Sequence, residues 1–133
     1  MSTPQLFHFT CDHGHRRIGR YNALIIPQVE HPICGWKICW FTTEAVPDRE
    51  ATGLAAVETT CDRMAHRYLI EAGSLCVPWL GSPWRSQAPK SFLADLEEYG
   101  DPEHWYVADV PVKARWDWYW SIPGAVSLEA SRD

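Results

Sequence analysis

No stretch of the chain approaches the ~20 consecutive apolar residues that a bilayer-spanning helix needs, so the sequence predicts no membrane span. The glycine-rich phosphate loops are missing as well. Neither Gly-x-Gly-x-x-Gly nor a Walker-type Gly-Lys-Ser occurs, which disfavours a kinase or a doubly wound dehydrogenase. Basic residues are in the minority: 12 Lys and Arg face 17 Asp and Glu, for a formal net charge of −5. That balance argues against a broad nucleic-acid footprint, because backbone binding needs clustered cations to displace counterions. Small basic clusters remain at Arg16, Arg17 and Arg20 and at Arg63 and Arg67, and a solvated or salt-bridged surface is expected there rather than phosphate or nucleic-acid contacts. Met1 to Gln5 lacks the basic-then-apolar order of a secretory signal, so a cytoplasmic setting is expected. Cysteine is present in an odd number, five, at irregular spacing, which fits reduced thiols better than a disulfide framework.

Tryptophan is plentiful. Eight Trp in 133 residues exceed what a core of this size ordinarily uses, so some are expected to line a binding surface. Hydrophobic residues at 46% and charged residues at 22% suit a folded domain, and the length suits one domain. The expected organisation is a single domain over residues 1–123, with residues 124–133 as a frayed tail.

The pattern predicts an α+β fold, a small and mainly antiparallel sheet with one or two helices. Leu6, His8 and Thr10 alternate with Phe7 and Phe9, as a strand with two distinct faces would. A short helix is expected over 13–20 with Asp12 as its N-cap, then an extended segment ending at Pro27. Strand composition returns at 36–43, at 67–70, at 105–107, at 110–112 and at 116–122. Residues 77–90, punctuated by Pro78, Gly81, Pro83 and Pro89, read as a long irregular loop, and Ser91 as the cap of a helix that stops at Gly100.

Two kinds of chemistry are weighed on residue type and spacing. Cys11, His13 and His15 alternate, and His31, Cys34 and Cys39 follow, a donor set that zinc accepts. No Cys-x-x-Cys pair occurs and a turn at Gly14 would scatter the first three, so no metal is expected. The second possibility joins three segments: Leu6-Phe7-His8-Phe9-Thr10, Trp40-Phe41-Thr42-Thr43 and Glu103-His104-Trp105-Tyr106-Val107. Together they offer an imidazole, hydroxyls, an aromatic wall and a carboxylate. Those groups could hold a ribose, stack a flat heterocycle and stabilise the cation formed when a glycosidic bond breaks. Packing is the alternative for each: a His among aromatics can be a satisfied core residue, and Glu103 after Pro102 an exposed turn carboxylate.

The order of these segments resembles the ADP-ribosyltransferase fold. His8-Phe9-Thr10 stands where that family has a first-strand His followed by a small residue and Thr or Ser. Ile18-Gly19 with Leu24 to Pro27 loosely matches its following helix and turn. Trp40-Phe41-Thr42-Thr43 matches a strand ending in an aromatic and Thr, and Glu103, or else Asp109 or Glu71, the late acidic residue. The chain also resembles small proteins of actinobacteria and their phages that share the His-Phe-Thr-Cys-Asp-His-Gly opening and the Pro-x-x-Trp-Tyr-Val close. The first resemblance implies NAD as substrate, with His8 and Glu103 catalytic and His8, Thr10, Trp40, Phe41 and Thr42 binding the nucleotide. The acceptor would be a protein, a nucleic acid or a small molecule. The competing expectation is a non-enzymatic binding or inhibitor protein that uses Trp79, Trp84, Trp116, Trp118 and Trp120 as anchors.

Overall fold

The structure is a computed structural model that describes residues 4–27, 30–31, 34–46 and 63–120. Strands β1 (Phe7–Thr10), β2 (Leu24–Ile25), β3 (Cys39–Thr42), β4 (His66–Ile70), β5 (Val77–Pro78), β6 (Trp105–Ala108) and β7 (Val112–Asp117) form one sheet in the order β2-β7-β4-β1-β3-β6-β5. All pairings are antiparallel. Helices α1 (Asp12–Arg20), α2 (Pro83–Gln87) and α3 (Lys90–Glu97) complete an α+β fold with one helix more than the sequence pattern suggests.

Period-two alternation places two different cores on the two faces. On one face Leu6, Phe41, Tyr68, Ile70, Val112 and Ala114 pack with Ile18 of α1 and with Ile25. Cys39 and Cys76 lie in the same cluster, and burial pushes their thiols up to about 12 and about 11. On the other face Trp79, Trp105 and Val107 form a second cluster, against which Trp36, Ile38, Trp40, Trp84, Leu93 and Leu96 pack. Most of the Trp complement is therefore structural. Trp79 is fully buried, and its indole N–H donates to Glu97 Oε2 at 2.6 Å while Arg85 binds both oxygens of the same carboxylate.

Local differences from the sequence reading have identifiable causes. The stretch read as a long loop contains β5 and α2, because Ser82 accepts from the Arg85 N–H and Pro83 occupies the first helical position, where a missing N–H costs nothing. Helix α1 begins at Asp12 with Cys11 at the cap position, and α3 begins at Lys90 after Pro89, neither with a side-chain cap. Of the strand expected over 116–122, Trp116 and Asp117 belong to β7, residues 118–120 turn instead, with Trp120 N–H bonded to the Asp117 carbonyl, and residues 121–122 lie outside the described residues. Residues 47–62 and 121–133, including Cys61 and the expected tail, lie outside the described residues. Among the described residues no helix is long and apolar enough to cross a membrane.

Candidate functional site

The register of three neighbouring strands arranges one sheet face in rows. Ile70 pairs with Ala114 and its N–H reaches the Leu6 carbonyl, giving a buried apolar row. One step along, His8 pairs with Tyr68 and Tyr68 with Trp116. Beyond that, Thr10 pairs with His66. The face thus passes from apolar to polar along β1, and α1 crosses its polar end.

The crossing is close. A Cβ on Gly14 would sit 1.9 Å from Thr10 Oγ1, so only glycine lets the helix meet β1 here. From that contact the first turns of α1 set their side chains onto the strands. His15 Nδ1 lies 2.7 Å from the Tyr68 phenolic oxygen, and the His15 ring stacks on His66 at 4.0 Å and 9°. His66 Nε2 donates to Asp12 Oδ1 at 2.6 Å, and Trp116 lies 4.6 Å from His15. Thr10, Asp12, His15, His66, Tyr68 and Trp116 therefore form one continuous group with His8 at its inner edge.

His8 itself occupies a break in the sheet. Strands β1 and β3 share one register pair, Phe7 with Thr42, and past it the His8 imidazole takes over: its Nδ1–H donates to the Trp40 carbonyl at 2.7 Å. A carbonyl can only accept, so this bond fixes the tautomer and leaves Nε2 with the lone pair. Burial lowers the His8 pKa, outweighing the backbone bond that raises it, so the ring is neutral near pH 7. Burial first and the neighbouring His66 second lower His15, with Asp12 opposing them. Asp12 is lowered chiefly by the hydrogen bond from His66. Burial pushes Tyr68 up to about 12, which keeps the phenol protonated.

Of the residues singled out from sequence, His8, Thr10 and the Phe41 ring come together, with His8 and Phe41 at 5.6 Å. Trp40 and Thr42 point to the opposite face. Trp40 packs on Trp79 at 4.6 Å and on Trp105, and Thr42 is buried, its hydroxyl accepting from the Glu44 N–H. Glu103 lies on an exposed turn just before β6, with its carboxylate 4.0 Å from His104 Nε2, while His104 Nδ1 bonds the Thr43 hydroxyl at 2.7 Å. Asp109 and Glu71 are exposed beyond their strands. Of the five Trp named as surface anchors, Trp79 and Trp120 are buried and Trp84 is partly buried, which leaves Trp116 and Trp118 exposed. Among the described residues no three His, Cys, Asp or Glu side chains are placed to hold a metal ion, and Cys11 contacts His13 at 3.9 Å.

Asp12, His66 and Tyr68 were not legible as site residues, and His15 was weighed only as a metal ligand. Asp12 reads as a cap and Tyr68 as strand core, and only the register of β1 with β4 unites them. Compared with protein-family models, curated proteins and solved structures, the chain matches none.

Proposed function

We propose that the face carrying His8 and Thr10 binds NAD or a related nucleotide and transfers its ADP-ribosyl group to an acceptor. The observation that carries this reading is the fixed His8 tautomer: a neutral imidazole held by Trp40, with its Nε2 lone pair in the same row as two aromatic side chains. Such a nitrogen accepts a hydrogen bond from a ribose hydroxyl without the repulsion that a second donor would bring. Trp116, 40% exposed at the end of the row, supplies the stacking surface for a flat heterocycle in place of Trp40, which packs into the opposite core. The carboxylate built into this face is that of Asp12, and it takes the electrostatic role that the resemblance gives to Glu103.

Titration with NAD under tryptophan fluorescence tests the reading. Saturable quenching in the wild type that is lost in Trp116→Leu supports it. A flat titration at millimolar NAD contradicts it and favours a second reading, a binding protein whose contact surface is Trp116 with Trp118, the latter 61% exposed.

A further inference from the structure

The two faces of the sheet carry helices of opposite charge. On the His8 side, α1 sets Gly14, His15 and Ile18 against the strands and leaves Arg16, Arg17 and Arg20 exposed. Asp12, the one acidic residue of α1, is bonded to His66, and among the described residues no ion pair holds any of the three arginines. On the opposite face, α3 packs Leu93 and Leu96 inward and exposes Asp95 and Glu98. The turn that follows adds Asp101 and the exposed Glu103, and no Lys or Arg occurs between Lys90 and Lys113. Arg85 is bound to Glu97 and so neutralises none of these four carboxylates. Each patch also has a bare aromatic side chain: Tyr21, 43% exposed, directly after α1, and Tyr99, 70% exposed, directly after Glu98.

The sheet stands between the two patches, so they cannot pair within one molecule. We infer that the outer face of α1 docks on residues 95–103 of a second copy of the chain, head to tail, with Arg16, Arg17 and Arg20 against Asp95, Glu98, Asp101 and Glu103. Complementary fields spread over two patches set the orientation of an encounter, and the net charge of −5 disfavours other approaches between copies. An isolated surface ion pair contributes little, but Arg and Tyr are among the residue types that dominate binding at interfaces, and both patches supply them or their partners. A head-to-tail contact leaves one free patch at each end, so association continues past a dimer. The inference stands apart from the nucleotide reading, because the arginines are exposed on the side of α1 away from the His8 row.

Sedimentation equilibrium of the wild-type chain at concentrations up to about 1 mM tests this. In about 0.05 M salt the mean mass should rise past that of a dimer, and in about 0.5 M salt the association constant should fall about tenfold or more, because salt shortens the range of charge attraction. That readout needs no variant. Arg16→Glu with Arg17→Glu and Arg20→Glu should abolish association, and so should Asp95→Lys with Glu98→Lys and Glu103→Lys in a separate chain, each variant being checked as folded by circular dichroism. Mixed in equal amounts, the two variants should associate again, since every patch of one then meets a patch of opposite charge on the other. A wild type that stays monomeric at low salt, variants that associate as strongly as the wild type, or a mixture of folded variants that stays monomeric overturns the inference. Growth that stops at a dimer overturns its head-to-tail form. A monomeric wild type that instead binds a single-stranded oligonucleotide, and loses it in the arginine variant, gives the face to nucleic acid. NAD binding is measured independently and stands or falls apart from these outcomes.

Discussion

The His8 imidazole donates to the Trp40 carbonyl at the place where strands β1 and β3 stop sharing a ladder, so one side chain both closes a gap in the sheet and acquires a defined acceptor nitrogen. The same bond gives His8 a structural and a chemical role. The two roles separate by titration, because protonation at Nε2 leaves the bond to Trp40 in place and removes the lone pair.

Acid should destabilise the protein through this face. The folded-state pKa values of His8 and His15 lie below the ordinary 6.5, so below that pH the unfolded chain binds more protons than the folded one. Stability is then fully present above pH 6.5 and falls as the pH drops from there through the folded-state values. Urea unfolding midpoints measured from pH 7.5 to 5 check this. His8→Gln, which can still donate to Trp40, should flatten part of the slope; an unchanged slope would remove His8 from the explanation.

Gly14→Ala should destabilise the fold by about 1–3 kcal/mol, the scale of overpacking, because the new Cβ would fall 1.9 Å from Thr10 Oγ1. Part of the loss should be recovered in Thr10→Ala combined with Gly14→Ala, since the Thr10 hydroxyl makes the closest contact. Additive losses in the denaturation cycle would mean that α1 does not rest on β1 at this point.

Arg67 and Asp117 form a largely buried ion pair under the aromatic rings of Phe7 and Trp120, and Arg67 also donates to the Ala45 carbonyl at 2.6 Å. Asp117→Ala leaves the guanidinium without its carboxylate and should cost about 3–5 kcal/mol. Arg67→Met with Asp117→Leu, which removes both charges and keeps volume, should recover most of that loss in chemical denaturation. A single variant within 1 kcal/mol of the wild type would show that water reaches the pair.

Glu103→Gln should leave the melting temperature within about 2 °C, as expected of an exposed change of under roughly 0.5 kcal/mol. NAD turnover should stay within about twofold, because Asp12 is the carboxylate bonded into the His8 face. A loss of about 100-fold would return the acidic role to Glu103.

The sheet was largely legible because its strands carry strong local signals. His8 and Thr10 alternate with Phe7 and Phe9, and Cys39 to Thr42 and Trp105 to Ala108 are dense in β-branched and aromatic residues. The site was legible only in part. Parity along a strand shows that His8 and Thr10 share a face, but whether Trp40 or Phe41 joins them depends on the register of β1 with β3, which one residue of slip reverses. Adjacency in sequence therefore grouped Trp40 with His8, and the register separated their side chains. Asp12, His15 and His66 met through the passage of α1 over Thr10, a contact set by the missing side chain of Gly14, and no spacing rule encodes that.

The most direct test of the nucleotide reading is nitrogen NMR of the histidine side chains with and without NAD. The free protein should show His8 as the Nδ1–H tautomer, and addition of NAD should shift the Nε2 resonance saturably as a ribose hydroxyl donates to it, with Nδ1 little changed. A His8 ring whose Nε2 resonance does not move at millimolar NAD would contradict the account.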